Sequence, residues 1–226
     1  RDWDIYDNKI YDAIGIDSGY GYGIHAAVNT GVTDANITIR DNTIRRAKRH
    51  SIYVARGNGF VVTGNKIYDH RSTLTAGEIS DASEGRGKVR PAIYCARSSH
   101  VKISGNFIYK PYDTGLQINN NPGNPGDVNT NILVSDNTLM FSRNGVPLMA
   151  MGSAYPDADG VQTDVHFRGN KLYVDGQSGA ALAVYSAKSS SVVGTEIYFK
   201  GAAASVNCID VFCIIEAAGT EIYTDE

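Results

Sequence analysis

Between Ser51 and Tyr68 the chain reads SIYVARGNGFVVTGNKIY, and apolar and polar residues alternate through it. A period of two marks a half-buried strand. Three short strands follow: one on Ile52 and Val54, one from Phe60 to Thr63, and one from Lys66 to Tyr68. Arg56-Gly57-Asn58-Gly59 turns the chain between the first two, and Gly64-Asn65 turns it between the second and third. The unit recurs. Asp7-Asn8-Lys9-Ile10, Asp41-Asn42-Thr43-Ile44, Gly105-Asn106-Phe107-Ile108, Asp136-Asn137-Thr138-Leu139 and Gly169-Asn170-Lys171-Leu172 repeat the Asn65 turn. Gly194-Thr195-Glu196-Ile197 and Gly219-Thr220-Glu221-Ile222 are degenerate copies. The copies are 23 to 41 residues apart. Self-similarity at such a period means stacked structural repeats. The shortest spacings set the rung, and the longer ones carry inserted loops.

The recurrent asparagine has two uses. A sharp bend favours a residue that tolerates the left-handed region, and a short amide can bond nearby backbone. Stacked in register, asparagines also bond one another in a ladder. These residues are expected to be architectural and not catalytic.

The repeat resembles the right-handed parallel β-helix superfamily, which holds pectate-lyase-like enzymes, polysaccharide epimerases and phage tailspikes. The resemblance covers nearly the whole chain. It implies an all-β fold, a right-handed single-stranded parallel β-helix of about seven to eight rungs with inserted loops. Residues 1–226 then form a single domain, and neither end of the sequence reads as a cap, so a fragment of a longer protein is expected.

A second column comes from aligning the strands themselves. Ile24-His25-Ala26, Ile52-Tyr53-Val54, Ile93-Tyr94-Cys95 and Leu116-Gln117-Ile118 place Ile24, Ile52, Ile93 and Leu116 inside. Gly145-Val146-Pro147 is read as the next member. Alternation then turns His25, Tyr53, Tyr94, Gln117 and Pro147 outward, and Val28, Arg56, Arg97, Asn120 and Ala150 align three residues later. Solubility alone would select scattered Lys and Glu. Tyrosines stack on sugar rings, and arginines grip carboxylates with paired bonds. The carbohydrate-binding set is therefore Tyr20, Tyr22, Tyr53, Arg56, Tyr94, Arg97, Gln117 and Asn119. The alternative is that Tyr53/Tyr94 and Arg56/Arg97 are ladders that only brace adjacent rungs.

Charge narrows the partners. The 226 residues carry a net charge of −3, which gives no basic excess for nucleic acid. No apolar run is long enough to cross a membrane as a helix. Three cysteines cannot form a paired framework; Cys95 reads as a packed thiol, and Cys208 and Cys213 lie in a late apolar run. The five histidines are scattered, and Asp157 and Asp159 lack further oxygen ligands, so neither metal nor cofactor is expected. After residue 186 outward positions are expected to lose their aromatics and arginines.

Three functions compete. The tailspike resemblance implies a depolymerase that cleaves a bacterial surface glycan, extracellular or on a virion surface, with a homotrimer as its assembly. Arg56-Gly57-Asn58 followed by Val62-x-Gly64-Asn65 is similar to the Arg-containing rung of chondroitinase- and alginate-lyase-like β-helices. That implies a secreted lyase or epimerase, although Ala55 stands where the family's outward Arg falls and no Asp-Pro-His motif is present. The third reading is a noncatalytic adhesin or a structural segment. Hydrolysis needs two carboxyl groups flanking the bond. Asp17 and Asp113 at strand ends and the loop acids Glu78, Asp81 and Glu84 are the candidates, with Asp113 and Glu78 preferred. Elimination would use His25 or Tyr53 as the base near Arg56 or Arg97.

Overall fold

The computed structural model describes residues 2–13, 21–28, 36–72, 90–119, 129–141, 147–152, 162–175, 181–184, 187–200, 209–211, 216–218 and 221–224. Among these residues every ordered element is a strand, and every strand pairs in parallel. The unit read from the sequence is present as Ile52–Ala55, Phe60–Thr63 and Lys66–Tyr68. Each of the three strands joins a different sheet. We name these the leading, middle and trailing sheets.

Register follows the expected columns. In the leading sheet Ile24, Ile52, Ile93 and Leu116 are direct partners, and all four are buried. The trailing sheet supplies Ile10, Ile44, Ile67, Ile108, Leu139, Leu172 and Ile197 in register. The middle sheet adds Ile39, Val62, Ile103, Val134 and Phe167. These side chains meet in one continuous core along the coil axis. Burying each of them is worth about 1.5–3 kcal/mol.

The corner between the middle and trailing sheets is fixed by asparagine. The Oδ1 of Asn65 accepts from the backbone N–H and the side-chain amide of Asn42, at 3.0 and 2.9 Å. Its own Nδ2 donates to Asn106 Oδ1 at 3.0 Å and to the backbone carbonyl of Ile39 at 2.9 Å. The same linkage runs from Asn8 through Asn42, Asn65, Asn106 and Asn137 to Asn170. The ladder stops at Thr195, whose buried hydroxyl finds no partner. The left-handed residue, however, is not the asparagine. It is the residue before it: Asp7, Asp41, Gly64, Gly105, Asp136, Gly169 and Gly194 all have φ between 52 and 64°. The asparagine amide needs the strand-like backbone that lets it reach the next rung, so the strain falls on a neighbouring Gly or Asp.

The leading sheet corrects one alignment. Met149, not Val146, pairs with Leu116, and Ala150 pairs with Gln117. The outward column is thus His25, Tyr53, Tyr94, Gln117, Ala150 and Ala183. Pro147 falls outside the strand Met149–Met151. The Gly-Val-Pro triplet imitated the earlier strand starts, but Pro has no N–H for a ladder. The expected loss of outward aromatics after residue 186 fails in the trailing sheet. In the trailing sheet Tyr198 continues the column and stacks on Tyr173 at 4.5 Å.

Candidate functional site

The outward face of the leading sheet begins with side chains that β pairing sets in line. His25, Tyr53, Tyr94 and Gln117 are successive partners. The rings of His25 and Tyr53 lie 4.9 Å apart, and Tyr53 stacks on Tyr94 at 5.6 Å. Two more rings enlarge the line into a patch. Tyr22 stacks on His25 at 4.5 Å, and His50 stacks on both Tyr53 and Tyr94, at 5.5 and 5.0 Å. Offset stacking of this kind contributes about 0.5–1.5 kcal/mol per pair beyond burial. His25 is exposed, whereas Tyr22, Tyr53 and Tyr94 are half-buried, so the tyrosines present edges and not whole faces.

Arginines frame the patch in two registered pairs. Arg49 and Arg90 each precede the first isoleucine of their strands by three residues, and Arg56 and Arg97 each follow it by four. Arg49 lies over the Tyr22 ring, 5.2 Å from its centre. Arg56 and Arg97 sit at φ 59 and 53°. Left-handed residues recur at the ends of trailing strands as well, at Arg46, Asp69 and Lys110, so this geometry belongs to the coil and does not by itself mark a site.

Burial sets the protonation states. It raises the Tyr53 phenol, against the pull of Arg56, Arg97 and Arg49. It raises Tyr94 further. Both rings keep their hydroxyl protons. His25 is held below the usual imidazole value, first by desolvation and then by Arg49, which leaves it neutral at neutral pH. The Cys95 thiol, fully buried on the inner side of the same strand, is pushed up to about 12 by burial and is inert packing. Cys208 and Cys213 lie outside the described residues.

Behind the patch lies a buried polar network. His50 donates from Nδ1 to the carbonyl of Pro91 at 2.7 Å. His70 donates from Nε2 to the carbonyl of Arg90 at 2.6 Å and accepts from the Ser51 hydroxyl at 3.2 Å. The Asp113 carboxylate accepts from the Arg71 guanidinium and from the backbone N–H of Arg90 at 3.2 Å. Three polar side chains therefore pin Arg90-Pro91, where the described chain resumes after residue 72. Desolvation lowers the His50 pKa well below the ordinary imidazole value and brings that of His70 to about 3.

This network corrects the expected role of Asp113. It does not rim the outward face. Its side chain is only 3% exposed and is consumed by Arg71. A fixed carboxylate close to an arginine in the interior is a structural counter-ion. Gln117 is half-buried, and its amide donates to the carbonyl of Gly152 at 2.7 Å; Asn119 is buried, its backbone N–H bonded to Cys95. Both act mainly in holding the face. Tyr20, Asp17, Glu78, Asp81, Glu84, Asn120, Asp157 and Asp159 lie outside the described residues.

Sequence reasoning missed His50, Arg49 and Arg90. Extending the alignment back from Ile24 and Ile52 sets Tyr22 opposite His50, and back from Ile93 sets Arg90 opposite Arg49. The signal was present but stood before the first strand residue, where no alternation marks it.

The chain belongs to the right-handed β-helix family: the family's model, described as a right handed beta helix region, matches residues 1–197. Neither the comparison with curated proteins nor that with solved structures finds a match.

Proposed function

We propose that this right-handed parallel β-helix is polysaccharide-active and engages an acidic glycan along the leading sheet, as a tailspike-like depolymerase of a bacterial surface polysaccharide. One observation carries the reading: the rings of Tyr22, His25, Tyr53 and Tyr94 form a single patch backed by the buried His50, and four arginines flank the strands that bear it. The exposed His25 ring and the tyrosine edges meet the C–H groups of sugars. Guanidinium groups pair with uronate carboxylates in bidentate fashion. An extracellular or virion-surface setting and a homotrimer go with this reading, and light scattering of the purified chain tests the assembly.

Among the described residues the chemistry favours elimination over hydrolysis. Asp113, the fixed acid of a two-carboxylate mechanism, is consumed by Arg71. His25 is neutral, exposed and within ring contact of Tyr53, which keeps its proton. In this scheme His25 takes the proton on the carbon beside the uronate carboxylate. The bond from the adjacent carbon to the glycosidic oxygen breaks, a carbon–carbon double bond forms, and the Tyr53 hydroxyl protonates the leaving oxygen. Arginine neutralises the carboxylate, which stabilises the carbanionic transition state.

The test is incubation with polygalacturonate, alginate, chondroitin and bacterial capsular polysaccharides, following reducing ends and ultraviolet absorbance together. Both signals, lost in His25→Ala and Tyr53→Phe, are expected. Reducing ends alone restore hydrolysis. Binding without cleavage makes the chain a glycan-binding module, and neither binding nor cleavage defeats the proposal.

A further inference from the structure

The trailing sheet has an outward column of its own. Tyr11, Arg45, Tyr68, Tyr109, Met140, Tyr173 and Tyr198 are successive partners. Phe107, on the neighbouring outward position, stacks on Tyr109 at 6.3 Å and meets Tyr68 at 5.9 Å. The aromatic line is interrupted twice, at Arg45 and at Met140. The second rung presents Thr43 and Arg45 where the third presents Lys66 and Tyr68. At the Arg45 interruption lies a groove of ≈ 590 Å³, with Tyr11 on one side and Tyr68, Phe107 and Tyr109 on the other. Tyr11 and Tyr68 are two rungs apart, roughly 9–10 Å.

We propose that this groove is a second carbohydrate site, specific for an uncharged sugar. Three features select that ligand. The walls are aromatic and accessible, with Tyr11 53% exposed. The polar groups are a matched pair: Arg45 Nε donates to Asp69 Oδ2 at 3.2 Å, with both side chains partly in solvent. A matched pair has no net charge to attract an acidic or a basic ligand. A purely apolar ligand would leave the pair without a use and desolvate it. A neutral sugar satisfies all of the lining. Its C–H faces lie on the rings, and its hydroxyls donate to Asp69 and accept from Arg45 and Thr43. The groove does not rest on the leading-sheet reading.

Affinity electrophoresis of the whole chain through gels containing dextran, galactomannan or hydroxyethyl cellulose tests the site, with polygalacturonate run in parallel. At least one neutral polymer is expected to retard the wild-type chain. Tyr68→Ala and Tyr11→Ala are each expected to weaken that retardation about fivefold or more, while Tyr94→Ala leaves it unchanged. Tyr11 is exposed enough that its variant folds whatever Tyr68→Ala does, and circular dichroism checks both. Retardation by none of the neutral polymers overturns the proposal. So does retardation that Tyr94→Ala abolishes and both groove variants leave intact. Retardation by polygalacturonate reports on the leading face and is scored separately.

Discussion

The leading and trailing sheets use the same device with different groups beside it. Both carry rings on in-register outward positions, and in both the rings touch from rung to rung. They differ in what stands beside the rings. On the leading sheet the neighbours are arginines, and histidines fill the gaps. On the trailing sheet Arg45 pairs with the Asp69 carboxylate, Lys110 lies 5.2 Å over the Tyr109 ring, and Tyr11 stands half in solvent. The coil sets the spacing of a stack, while residues at strand ends and turns set its charge. Aromatic repetition alone therefore says little about ligand, and the flanking charge says much more.

The largest effect is expected from the network that backs the leading face. Asp113→Ala leaves the Arg71 guanidinium buried without its carboxylate. Breaking a buried pair from one side costs about 3–5 kcal/mol. Urea unfolding measures this, and a loss below about 1 kcal/mol would mean that the network does not anchor Arg90-Pro91. Nothing comparable is expected on the trailing sheet, where the Arg45–Asp69 pair is partly exposed.

Acid separates the two faces next. The unfolded chain protonates its histidines near 6.5, but burial holds off His70 until about pH 3 and lowers His50 well below its ordinary value. Between those limits the unfolded state binds more protons, so stability rises with pH and is lost as pH falls from about 6.5 towards 3. His70 contributes on the order of 1 kcal/mol per pH unit in that window, and His50 adds to the slope in the same direction. Urea midpoints from pH 7 to pH 4 measure the slope, and His70→Gln should flatten it. An unchanged slope in that variant would place the acid sensitivity elsewhere.

Binding gives the third contrast. Tyr94→Ala removes the ring that stacks on both Tyr53 and His50. A loss of about 10-fold or more in affinity for polygalacturonate is expected, on the scale of a ring contact plus its burial. Tyr173→Ala, on the trailing sheet beyond the groove, should leave that affinity unchanged. Equal losses in the two variants would erase the distinction between the faces.

How much of this was legible in the sequence follows from the kind of residue involved. Ile52, Phe60 and Ile67 could be placed because strand alternation is a local rule and the Asn65 turn recurs. Tyr53 and Tyr94 came with them. Gly145-Val146-Pro147 misled because a strand start was matched on composition, and only the pairing of Met149 with Leu116 fixes the register. Asp113 misled for another reason. Its carboxylate is satisfied by Arg71, 42 residues away, and no local rule reports a partner at that distance. The trailing tyrosines were visible in the Lys-Ile-Tyr, Phe-Ile-Tyr, Lys-Leu-Tyr and Glu-Ile-Tyr triplets, but the triplets served only to define rungs.

The smallest effect is expected where coil geometry and site chemistry share a residue. Arg56 occupies the left-handed region at φ 59°, and so does Asp69 at φ 50°. A side chain there costs roughly 1–2 kcal/mol, which glycine does not suffer, although glycine gives back about 0.5–1 kcal/mol in chain entropy. Arg56→Gly and Asp69→Gly should therefore each change stability by no more than about 1.5 kcal/mol, towards the stable side. Their binding effects should diverge. Arg56→Gly removes a cation beside Tyr53 and should weaken polygalacturonate binding several-fold and reduce its salt dependence. Asp69→Gly should leave both unchanged, because its carboxylate pairs with Arg45 on the other face. Calorimetric titration at two salt concentrations reads both quantities. An Arg56→Gly chain that binds polygalacturonate as tightly as the wild type would reduce that arginine to a turn residue and leave the cationic character of the leading face to Arg49, Arg90 and Arg97.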